Sequence, residues 1–159
     1  MADVLNGYAI LWGAMFSWII AQALKLIISL IAVGKIDLAK LFDSGGMPSS
    51  HSALVASLCT SVGLIDGWDT TAFAICAVLA AIIIYDATGI RRSAGEHAAA
   101  LNDIIPQLLA GKFLKEGNNF PEKYKELLGH NPFEVIVGLA VGVLVTLGFL
   151  IGYNIIKWP

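Results

Sequence analysis

The chain has 159 residues, of which 57% are apolar and 14% charged, against about 25% charged in an ordinary soluble domain. With a mean hydropathy of +0.77, this excludes a disordered tail, a basic nucleic-acid-binding domain and a water-soluble fold, and leaves a single-domain integral membrane protein. The net charge of −2 says little, and Cys59 and Cys76 both sit in apolar runs, which suggests neither a disulfide framework nor a zinc site.

A membrane-spanning helix needs about 20 mostly apolar residues. Tyr8–Val33 meets this with only Gln22 and Lys25 as strongly polar members. Met1–Asn6 carries no Lys or Arg, so the run reads as a permanent span and not as a cleaved signal. Pro48–Ile65 is shorter, contains Ser57, Thr60 and Ser61, and reads either as a span or as a re-entrant or interior helix. Asp66-Gly67-Trp68-Asp69 is a turn with an interfacial Trp, and Thr70–Tyr85 is the next span, stopping at Asp86-Ala87-Thr88-Gly89. Apolar residues then recur at Ala94, Ala98, Leu101, Ile105 and Leu108, a helical stripe that Pro106 should kink or break. That helix would lie along the membrane surface or against the bundle. Pro121–Leu128, with Pro at its start and Gly129 past its end, predicts a shorter helix. Val135–Ile156 is the last span. Its Gly138-x-x-x-Gly142 and Gly148-x-x-x-Gly152 pairs let another helix approach closely, and also allow a homodimer.

The expected architecture is therefore all-α. It is a polytopic membrane helix bundle of one domain over 1–159, with spans near 8–33, 48–65, 70–90 and 133–156 and a cytoplasmic amphipathic insertion at 93–129. Of the ten Lys and Arg residues, eight (Lys35, Lys40, Arg91, Arg92, Lys112, Lys115, Lys123 and Lys125) fall in the two longer connections. The positive-inside rule puts those connections in the cytoplasm and both termini outside.

Three polar clusters open onto that same side. Gly45-Gly46-Met47-Pro48-Ser49-Ser50-His51-Ser52 places a tight turn before a helix start, whose unpaired N–H groups form an anion site. His51 at its mouth can give a proton to a leaving oxygen. The plainer reading is a capped helix start with an interfacial His. At His130-Asn131-Pro132-Phe133-Glu134, Glu134 lies four residues after His130 and can share its face. It would then orient the imidazole of a nucleophile, or merely complement a helix dipole. Arg91 and Arg92 are either topological anchors or a fork for phosphate oxygens. Lys25, inside a span, is a functional candidate unless it snorkels to the surface.

On these residues the sequence resembles the divergent membrane branch of the type 2 phosphatidic acid phosphatase superfamily, which includes the vanadium haloperoxidases. Pro48-Ser49-Ser50-His51 is similar to its Pro-Ser-Gly-His motif, with Ser50 for Gly. His130-x-Pro132-x-Glu134-Val135-x-x-Gly138 is similar to its His-x-Pro-x-Asp-Val-x-x-Gly motif, with Glu134 for Asp. The resemblance spans about Gln22 to Gly142. The sequence departs from the pattern in having Ala32-Val33 where Arg-Pro would follow Lys25, and 37 residues between Arg92 and His130 instead of five. Arg91 does stand the expected distance before His97, but the residue four after His97 is Leu101, which favours His130.

The resemblance implies a phosphohydrolase for a lipid phosphate or pyrophosphate. His130 would attack phosphorus and form a phosphohistidine, Glu134 would hold its ring, and His51 would protonate the leaving oxygen. Lys25, Arg91 or Arg92, and the Ser49–Ser50 backbone would cradle the equatorial oxygens. The scheme needs no cofactor or metal; Asp86, Glu96 and Asp103 make at most a weak hard-cation set. The partners implied are a lipid phosphate substrate and membrane lipids, with no nucleic acid. The setting is a bacterial plasma membrane with the site on its cytoplasmic side. The rival from another class is a non-catalytic membrane protein that binds or moves anionic lipid headgroups.

Overall fold

In lipid a chain must satisfy its own backbone polar groups, so apolar runs of this length fold as helices. The computed structural model describes residues 2–34, 45–110, 124, 126, 129–153 and 155. Among them the regular structure is helical throughout: α1 (Ala2–Val33), α2 (Ser50–Ile65), α3 (Thr71–Thr88), α4 (Ile90–Ala110) and α5 (Pro132–Gly152). Three helical stretches are long and apolar enough to cross a membrane: Asn6–Ala32 in α1, Thr71–Leu108 over α3 and α4, and Pro132–Gly152. The 16 residues of α2 reach about 24 Å at 1.5 Å per residue, short of the roughly 30 Å hydrocarbon layer.

The short helix lies at the centre, packed against α1, α3 and α5. Apart from Val55 and Val62, its buried residues are small: Ser50, Ser52, Ala53, Ala56, Ser57, Ser61 and Gly63. Across from them stand Gly138 and Gly142 of α5, where an added Cβ would fall on the carbonyl oxygens of Ser49 and Ala53. This glycine pair therefore seats α2 within the same chain. A Cβ added at Gly148 or Gly152, by contrast, would meet no other described residue within 4 Å. Hydroxyls lock the contact. Ser57 and Thr146 hydrogen-bond at 2.6 Å, Thr146 Oγ1 also donates to the Gly142 carbonyl at 2.9 Å, and Ser17 Oγ donates to the Ala53 carbonyl at 3.1 Å. In lipid, where helices gain little from burying apolar surface against one another, close backbone approach and such bonds provide the adhesion. Leu11, Ile19, Ile75, Val78, Ile82, Ile136 and Leu144 are exposed on the outside of the bundle, as a lipid-facing surface requires.

Two local expectations change. The amphipathic helix starts at Ile90 instead of Ala94, because α3 and α4 are separated by Gly89 alone. The Gly89 N–H closes α3 on the Tyr85 carbonyl, and its own carbonyl accepts the Ser93 N–H, both at 2.9 Å. Pro106 does not break α4, which runs on to Ala110. Proline costs a helix the bond to the carbonyl four residues back, here that of Asn102. Pro106 is exposed, so water can take up that carbonyl. The short helix expected over Pro121–Leu128 lies outside the described residues, save for Tyr124 and Glu126, which are not in a helix. Lys35, Lys40, Lys112, Lys115, Lys123 and Lys125 also lie outside the described residues.

Candidate active site

The C-terminal part of α1, the start of α2, the end of α3, the start of α4 and the start of α5 meet at one end of the bundle. Two backbone bonds tie this end together: the Ser49 N–H donates to the Glu134 carbonyl at 3.1 Å, and the His130 N–H to the Ala87 carbonyl at 2.9 Å. Between them lies a cavity of about 190 Å³ lined by His51, Ile83, Ala87, Arg91 and His130.

His130 is 3% exposed, and its Nδ1 lies 2.9 Å from Glu134 Oε2. The same carboxylate oxygen accepts the Asn131 N–H at 3.3 Å, while Asn131 Oδ1 accepts the Glu134 N–H at 3.1 Å. This reciprocal capping box starts α5 and fixes the carboxylate against the ring, so Glu134 both sits at the helix start and contacts His130. With Nδ1 engaged, Nε2 is the ring atom available to the cavity. Burial lowers the pKa of His130 from its ordinary value; the Glu134 bond and charge raise it, and the Lys25 and Arg91 charges lower it. The downward shift favours the neutral ring, whose Nε2 carries a lone pair.

His51 stands in the first turn of α2 with its side chain exposed. Ser49 is the N-cap; its Oγ accepts from the Ser52 N–H at 3.3 Å and from Ser52 Oγ at 2.9 Å. The Ser49 amide, expected in the oxyanion cradle, is already committed to Glu134. The amides at the first two helical positions, Ser50 and His51, are the ones a helix start leaves without an intrahelical acceptor.

The two arginines part company. Arg91 lines the cavity and pairs with Asp86 at 2.6 Å. Arg92 pairs with Glu96 at 3.1 Å on the exposed side of α4 and is not among the lining residues. Lys25 is 4% exposed, so it does not snorkel; Gly46, at φ +94°, sits over its aliphatic stem, with Lys25 Cδ 3.8 Å from the place of a Cβ. Asp86 and Glu96 are thus each paired with an arginine, and Asp103 is exposed on α4. His97 lines a separate groove with Tyr85, Gly89, Ile90, Ser93 and Ala94.

Two residues position the site without being assigned to it by the sequence, where Gly129 reads only as the glycine past a helix end. Asn131, three before Glu134, is a capping-box signature and was available to inspection. Gly129, at φ +82°, lies so close to α4 that a Cβ there would strike the Arg92 backbone nitrogen. It lets the segment before α5 press His130 against Ala87 and Arg91, and nothing local in the sequence marks that approach.

The Divergent PAP2 family model matches residues 7–145. The chain is 40% identical over 153 residues to a Bacillus subtilis (strain 168) protein named Uncharacterized membrane protein YuiD, covering 91% of this chain and 95% of that one. No solved structure matches it. The match takes in all the residues gathered around the cavity, from Lys25 to Glu134, and the chain belongs to the Divergent PAP2 family.

Proposed function

We propose that this single-domain membrane protein is a phosphohydrolase for a lipid phosphate or pyrophosphate, working from the cytoplasmic side of a bacterial plasma membrane. One arrangement carries the reading: a buried histidine, held through Nδ1 by a carboxylate, shares a small cavity with a second histidine and an arginine. In the first step His130 Nε2 attacks phosphorus as the bond to the leaving oxygen breaks, and His51 gives that oxygen its proton. In the second step water attacks the phosphohistidine, His51 takes the water's proton, and the histidine departs as neutral imidazole once more. Glu134 keeps the ring in the tautomer that presents a lone pair and stabilises it as positive charge develops. Arg91, with Lys25 behind, offsets the charge on the phosphoryl oxygens, which is most of what phosphoryl transfer asks of a protein. Arg91 takes this role and Arg92 does not, because Arg91 alone of the two lines the cavity.

Phosphate release by purified protein in detergent, measured on several lipid phosphates with and without chelator, tests this. Turnover should be lost in His130→Ala and largely kept in His97→Ala, whose side chain lines the other groove. Loss in His97→Ala with retention in His130→Ala would move the nucleophile to the wrong histidine for this scheme. No release by the unaltered protein from any substrate would leave an anion-binding pocket without catalysis.

A further inference from the structure

α4 presents three faces. Gly95 and Ala98 are buried and, with Asn102, form one of them. Asn102 grips Tyr124 from both sides, its Oδ1 accepting the Tyr124 N–H at 2.8 Å and its Nδ2 donating to the Tyr124 carbonyl at 2.9 Å. Arg92, Glu96, Asp103 and Gln107 form the second, exposed and polar. The third carries Ile90, Ala94, His97, Leu101, Ile104 and Leu108, which fall within an arc of about 80° at 3.6 residues per turn. Ile90, Leu101 and Ile104 are 64%, 42% and 50% exposed.

Among the described helices α4 packs only against α3, so no described helix covers the third face. That face is continuous with the lipid-facing side of α3. Tyr85, 73% exposed one turn before Gly89, lines the same groove as Ile90, Ala94 and His97. Ile82, Val78 and Ile75 extend the surface along α3 toward the other side of the membrane. The groove thus joins the first two turns of α4 to the exposed side of a membrane span.

We propose that α4 is an interfacial helix, lying on the bilayer at headgroup depth with Ile90, Ala94, Leu101 and Ile104 inserted among the lipids and the Arg92–Glu96 face in water. Its partner is the lipid surface of the leaflet at the active-site end. The attraction is apolar: the described charges of α4, Arg91 and Arg92 against Glu96 and Asp103, balance, so salt should scarcely affect it. The inference does not depend on the proposed catalysis. It has a consequence for it, because Arg91 lies in the first turn of α4 and would be held at the depth of a lipid phosphate.

Nitroxide labels on single cysteines, introduced into full-length protein carrying Cys59→Ala and Cys76→Ala in proteoliposomes, test the proposal. The labelled positions are Ala94, Leu101 and Ile104 on the apolar face, Glu96 and Asp103 on the polar face, and Leu144 on α5 as a lipid-facing control. Two stripe positions suffice if one variant fails to reconstitute. Stripe labels should collide with oxygen more than with a water-soluble nickel chelate, as at Leu144. Glu96 and Asp103 labels should show the reverse, unchanged between low and high salt. Equal access to the nickel chelate on both faces would put α4 in water, and shielding of the stripe from both reagents would mean that protein, this chain's or a second copy's, covers it. Either result overturns the proposal.

Discussion

Glu134 is asked to do two things, and they separate on titration. Burial pushes the His130 pKa below the ordinary 6.5 while the Glu134 carboxylate pulls it back up. A nucleophile that works as the neutral ring loses activity as pH falls through its pKa, so the acid limb of kcat/KM lies below 6.5. Glu134→Gln removes the charge that favours protonation and keeps an acceptor for Nδ1–H. The limb should therefore move to still lower pH, while the plateau falls by up to about 10⁴-fold, as when a catalytic histidine loses its orienting carboxylate. A pH–rate profile that keeps its limb in place, or moves it upward, would contradict the role given to this residue. The pair itself was legible, because four-residue spacing across a helix start puts the two side chains on one face. The choice between Arg91 and Arg92 was not: it depends on the phase at which α4 resumes after Gly89. The dependence on Gly129 was hidden too, since it comes from an approach between residues far apart in the chain.

At the level of elements, both glycine pairs of α5 signalled close packing in the sequence, and the structure distinguishes them by partner. Gly142→Ala would drive a Cβ into the Ala53 carbonyl and to 2.8 Å from Ala56 Cβ, and overpacking of this kind costs about 1–3 kcal/mol. Gly148→Ala meets no other described residue within 4 Å, and replacing glycine in a helix interior should be neutral or stabilising by up to about 1 kcal/mol. Thermal unfolding in detergent reads both, and equal effects would contradict the assignment of Gly138 and Gly142 as the seat of α2. The apolar runs made the long helices plain from the sequence alone. The central place of α2 was only half legible: its length and its serines left a span and an interior helix both open, and small residues do not say which neighbours they admit. Its 16 residues are short for a span because α1, α3 and α5, and not lipid, surround it.

For the whole molecule, the orientation in the membrane and the proposed chemistry belong to the same end of the bundle. Eight of the ten cations fall in the two stretches of sequence that join α1 to α2 and α3 to α5, whose flanking helix ends surround the cavity, so that end should face the cytoplasm. A C-terminal reporter that fluoresces only in the cytoplasm should stay dark in cells, and a bright signal would reverse the orientation. The chemistry predicts a covalent intermediate on one named atom, which splits the reaction in two. In the proposed scheme His51 acts on the leaving group, where general acid catalysis contributes about 10²–10⁴-fold. Its loss should therefore weigh heavily on alkyl phosphates and lightly on pyrophosphates, whose leaving phosphate needs little protonation. The most direct measurement is phosphoenzyme mapping after a rapid alkaline denaturing quench, in which phosphohistidine survives, with ³²P-labelled lipid phosphate and pyrophosphate, on the unaltered protein, His51→Ala and His130→Ala. Label on histidine in the unaltered protein, formed by His51→Ala from pyrophosphate and absent from His130→Ala, is the predicted result; label retained by His130→Ala would contradict it.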